Sequence, residues 1–140
     1  MTSIVITLHL VAMALALGGR LIFAALLQHS MAGSVTGKLE QLQAPLTIVK
    51  LADWGLLMAL LSGLLLFFLQ NLSVSVSPWS FKLKVVLAAL LIIAIGAFHI
   101  AQMRVVNHYD VQMLPVLKRL NIITVALLSG MVFFATFDIN

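Results

Sequence analysis

Four apolar stretches, each about the length of a bilayer crossing, fill almost all of the 140-residue chain: Ile4 to Leu27, Leu46 to Leu69, Phe81 to Met103 and Leu114 to Phe137. A hydrocarbon layer roughly 30 Å thick is crossed by about 20 helical residues rising about 1.5 Å each, so every stretch is long enough to span it. Backbone polar groups in lipid must be satisfied within the chain, and an α-helix does this segment by segment. The stretches therefore predict an all-α integral membrane protein. The connections between them are short, so sequential helices are expected to pack as antiparallel neighbours. Residues 1–140 read as one domain, an up-down-up-down bundle of four transmembrane helices in a lipid bilayer.

Composition narrows the chemistry. Hydrophobic residues make up 63% of the chain and charged residues 9%, which leaves too little polar surface for a water-soluble fold. There is no cysteine, so disulfides, thiolate metal sites and thiol redox chemistry are excluded, and any metal must be held by His, Met or carboxylate. The formal net charge of +4 comes from basic residues scattered at span ends, a topology signal and not a nucleic-acid surface. The first stretch lacks a basic leader and carries Arg20 in its second half, so it is expected to be a retained helix and not a cleaved signal peptide.

The connections are predicted over His29 to Pro45, Asn71 to Ser80 and Val105 to Pro115, with Pro115 in the first turn of the fourth helix. Call the side holding the N-terminus, the second connection and the C-terminus face A, and the other side face B. Lys38, Lys50, Arg104, Lys118 and Arg119 lie near face B, against Lys82 and Lys84 near face A. The positive-inside rule makes face B cytoplasmic and puts both termini outside. Asn71, Leu72 and Ser73 form a glycosylation tripeptide on the outer side, a pattern common by chance.

Polar side chains inside the spans carry the functional signal, because they are expensive in lipid. Counting from the span ends, Arg20 and Asp53 both lie roughly 10 Å from face B on neighbouring helices, so they are expected to form an ion pair, with Lys50 one turn away. Such a pair either fixes helix register or anchors an anionic group such as a haem propionate. His9 lies roughly 12 Å below face A and His99 roughly 25 Å from it. Two imidazoles on one haem iron need nearly one height, so this count argues against a single haem bridging them. Each is either a ligand, a proton relay or a neutral histidine bonded to an adjacent helix. His29 and His108 fall in the connections and are expected to be solvated. Gly18, Gly19, Ser62, Gly63, Gly96, Ser129 and Gly130 permit close helix approach, either for packing or around a flat cofactor. Met13, Met58, Met103, Met113 and Met131 form no cluster and read as packing. Nucleophile constellations, phosphate loops, nucleotide fingerprints and paired carboxylates are absent from the sequence.

Leu8-His9 followed by Gly18-Gly19-Arg20-Leu21, then Trp79 with Lys82-Leu83-Lys84 and the downstream His99, then Arg119-Leu120-Asn121, resemble HemJ-type protoporphyrinogen oxidases and the related membrane domain of CopD-type proteins. The resemblance covers most of the chain. It implies a haem-b-binding four-helix protein of a bacterial cytoplasmic membrane, with His9 as the family histidine and Lys84 as the family lysine in a substrate or catalytic role. His9 and His99 are then the candidate metal ligands, and His9, His99 and Arg20 the candidate cofactor contacts. The expected function is electron transfer or oxidation of a porphyrin or quinol through haem. A different class is a non-catalytic accessory subunit packing against a larger membrane complex or its own copies. A copper or ion transport module is a third.

Overall fold

The computed structural model describes residues 2–30, 42–69, 79–108 and 110–137, and among these only Leu42 and Asp110 lie outside a helix. The chain is all-helical: α1 spans Thr2–Ser30, α2 Gln43–Leu69, α3 Trp79–His108 and α4 Leu114–Phe137, with a short 3-10 turn, Val111–Met113, before α4. All four long helices are apolar and long enough to cross a membrane. The glycosylation tripeptide, Lys38 and most of the first two predicted connections lie outside the described residues.

Three helices run further than the apolar stretches suggest. α1 carries His29 in its last turn, α2 begins ahead of Pro45, and α3 keeps Val105 to His108 as helix where a connection was expected. The physical reason is the same in each case. Hydrophobicity stops at the first charge or amide, but helix propensity does not, and no glycine or proline interrupts Met103 to His108. Pro45 is tolerated because a first-turn residue needs no intrahelical donor. The turn before α4 is set by Asp110, whose carboxylate accepts from Gln112 N at 3.2 Å while its carbonyl accepts from Met113 N at 3.1 Å. Pro115 then lies in the first turn of α4.

Close packing links α1 to α2, α3 to α4, and α1 to α4, whereas α2 and α3 share almost no close backbone approach. Two buried apolar clusters divide the interior by level. One gathers Phe23 and Leu27 of α1 with Val49, Phe98, Ala101 and Leu117; the other gathers Ala12, Met13 and Ala16 with Leu56, Ala59, Leu91 and Leu128. Ascending numbers on α1 thus meet descending numbers on α2 and α4. Large apolar side chains elsewhere point outward, among them Ile4, Ile93, Phe68 and Trp54.

Glycines decide how near α1 and α2 come. A Cβ on Gly19 would stand 2.7 Å from Ala52 Cβ, and one on Gly55 would stand 3.0 Å from Ala16 N and 3.1 Å from Ala12 O. A side chain at Gly19 would force a shift, and one at Gly55 would press on the α1 backbone. This backbone proximity adds van der Waals contact between the two helices, and it also sets two polar side chains against each other.

Candidate functional site

Arg20 is buried to 1% exposure, a position tolerated in an apolar interior only if its charge is met. Gly19 brings α2 against α1, and Arg20 Nη2 donates to Asp53 Oδ1 in a salt bridge. The guanidinium carbon lies 4.4 Å from the centre of the Phe98 ring, a cation–π contact with α3, and Phe98 is held edge-on by Phe23 at 5.5 Å. From α4, Asn121 Nδ2 donates to the Arg20 carbonyl at 3.1 Å. All four helices therefore meet at one residue.

Asp53 has a second partner. His99 Nε2 stands 3.1 Å from Asp53 Oδ2, close in distance, although the ring N–H is not in line and Oδ2 makes no aligned hydrogen bond. The His99 side chain is 43% exposed, whereas that of Asp53 is 20% exposed. Arg20 Nη1, Gln102 Oε1 and Asn121 Oδ1 are buried and unbonded among the described residues. Lys50, expected one turn from Asp53, is exposed.

His9 occupies a separate place. Its Nδ1 lies 2.9 Å from the Ala59 carbonyl oxygen and 2.9 Å from Ser62 Oγ, both on α2. A carbonyl only accepts, so Nδ1 carries the proton and Nε2 keeps its lone pair in the neutral ring. Ser62 Oγ donates in turn to the Met58 carbonyl at 2.7 Å. A Cβ on Gly63 would stand 3.2 Å from His9 Cε1, so that glycine makes room for the imidazole. Lys84, half-buried on α3, lies within electrostatic reach of the ring.

The structure thus brings together Arg20, Asp53 and His99, and holds His9 separately against Ala59 and Ser62 of α2. It does not bring His9 to His99. Their anchor points on α2 are Ala59 to Ser62 for one and Asp53 for the other, roughly 9–14 Å apart along the axis. His29 and His108 are exposed in the last turns of α1 and α3, so they belong to helices and not to connections. Among the described residues no three His, Asp or Glu side chains converge on a metal-sized point. Phe98, Gln102 and the Asn121 bond to Arg20 are additions that no depth count supplies.

Comparison with protein-family models, with curated proteins and with solved structures returns no match.

Proposed function

We propose that this chain is an up-down-up-down membrane protein of four spans, its basic ends on the cytoplasmic side and both termini outside, which carries a haem b on His9 and works in electron transfer or in oxidation of a lipid-soluble reductant. The reading accords with the resemblance to HemJ-type and CopD-type proteins. One observation carries it: Nδ1 of His9 is engaged by the Ala59 carbonyl and Ser62, which fixes the ring and leaves Nε2 as a lone pair. Histidines that bind metal have their second ring nitrogen held in this way. The residues present would supply one imidazole ligand, His9. They would not supply a second from His99, whose contact on α2 lies at another level.

When bound, the haem would supply one-electron chemistry. The chain's own contribution is to orient and tune. Ala59 and Ser62 hold the imidazole plane, Gly63 lets the ring edge pack close against α2, and the Lys84 charge lies within electrostatic reach of the ring. Arg20 is held by Asp53 through Nη2 and by the Phe98 face, so it favours a structural part over that of propionate anchor.

The test is a visible spectrum of detergent-purified protein expressed with adequate haem supply. Reduced-minus-oxidised Soret and alpha bands are expected, lost in His9→Ala and retained in His99→Ala. Loss in both variants to the same degree, with helical content intact, defeats the single-ligand arrangement. A colourless preparation defeats the haem reading.

A second reading, a non-catalytic subunit of a larger membrane assembly, is favoured by the Arg20 centre, which ties four helices together with no need of a cofactor. Co-purification with larger chains in a colourless complex supports it.

A further inference from the structure

Four residues, one from each long helix, continue a buried stripe by seven positions and yet are not buried. Val5 lies seven before Ala12, Leu66 seven after Ala59, Lys84 seven before Leu91 and Met131 seven after Thr124. Ala12, Ala59, Leu91 and Thr124 are at most 5% exposed, whereas the four continuing residues are all partly open. Seven residues are nearly two helical turns, so each pair shares a face to within about 20°. In a bundle closed to its end, all four would be core. Packing instead stops at this level: among the described residues none in 3–11, 63–69, 79–90 or 129–134 is buried, which leaves roughly 9–18 Å of each helix toward face A without a core. Toward face B the same helices close around Phe23, Val49, Phe98 and Leu117.

The chemistry of the unclosed end is uneven. Val5, Leu66 and Met131 give it apolar walls, and Lys84 gives it one half-buried cation whose charge reaches as far as His9. Water does not wet apolar walls favourably, and hydrocarbon does not meet a charge. An anion that carries an apolar body answers both. Lys84 is also five residues, about 8 Å, past Trp79 at the start of α3, so its ammonium is within a lysine stem of the headgroup layer. Lys82, two residues away and therefore on another side of α3, adds a second positive charge at the same end.

We infer that the face-A half of the bundle is completed by an anionic phospholipid of the phosphatidylglycerol class, one acyl chain lying between the helices and the phosphate meeting Lys84. A water-soluble anion lacks the apolar body that the walls select. A zwitterionic phospholipid brings its own cation, which the two lysines repel, so a headgroup of net negative charge is preferred. The inference rests on the membrane placement proposed above and not on the haem.

The experiment is native mass spectrometry of the full chain, purified in detergent and given an equimolar mixture of dioleoyl phosphatidylglycerol and dioleoyl phosphatidylcholine. One retained lipid is expected, phosphatidylglycerol at least threefold over phosphatidylcholine. Lys84→Met is expected to remove that preference and Lys82→Met to keep it. Leu66→Trp and Met131→Trp fill the space, so each is expected to cut retention of either lipid at least threefold with unchanged circular dichroism. Equal retention of the two lipids by the unaltered chain overturns the inference, as does undiminished retention in both space-filling variants. A preference lost equally in Lys82→Met and Lys84→Met overturns it too, since that marks surface charge and not an inward site. Retention of oleate in place of phosphatidylglycerol, from a mixture of those two, overturns the phospholipid assignment. Failure of the chain to float with liposomes refutes the membrane placement itself, whereas a colourless preparation that keeps the preference refutes the haem alone and supports the lipid site.

Discussion

Asp53→Ala is expected to destabilise the fold by about 3–5 kcal/mol, because removing one partner of a buried pair leaves the other charge uncompensated. Arg20 is almost wholly enclosed, and its remaining contacts, the Phe98 face and an unbonded Nη1, do not replace a carboxylate. The measurement is the loss of helical circular dichroism as SDS is titrated into mixed micelles, with Arg20→Met combined with Asp53→Asn as the control. That double change removes both charges and keeps similar volume, so it is expected to recover most of the loss. A single Asp53→Ala variant that unfolds at the wild-type SDS fraction would show that Arg20 does not depend on this carboxylate.

Gly19→Leu is expected to cost about 3 kcal/mol, the upper part of the usual range for overpacking, and Gly18→Ala to be neutral or slightly stabilising. The two glycines are adjacent in sequence and opposite in environment. A first side-chain carbon on Gly19 would stand 2.7 Å from Ala52 Cβ and 3.3 Å from its Cα, whereas one on Gly18 would meet nothing within 4 Å. A leucine at Gly19 must push α2 away along the seam that positions Asp53, so the same variant is expected to weaken the salt bridge. The same SDS titration, run on both variants, checks the contrast. Equal stability of the two would mean that the α1–α2 approach is not governed by the glycine.

The helical class was legible because apolar length alone determines it, and the four helices fall where the apolar stretches lie. Helix ends were not, since Val105 to His108 and Gln43 to Pro45 carry helical backbone without the hydrophobic signal. In the site, counting residues from face B put Arg20 and Asp53 at one depth, and they are bonded. The His99 contact was equally open to counting, because roughly 25 Å from face A is roughly 5 Å from face B in a 30 Å layer, near the depth of Asp53. Depth, however, says nothing of rotation about the helix axis. Whether His99 faces Asp53, whether Phe98 lies under Arg20, and whether Ser62 reaches His9 depend on which side of each helix is turned inward, and spans that are apolar all round carry little of that information.

The placement of Arg20 makes α1 a shaft on which the other helices are keyed. Its guanidinium engages α2 and α3 and its carbonyl engages α4, all within a single residue. Turning α1 by one residue, about 100°, would disengage all three partners in the same step. Misalignment is therefore penalised all at once and not by degrees, so the bundle has one setting that closes and no graded series of near misses beside it.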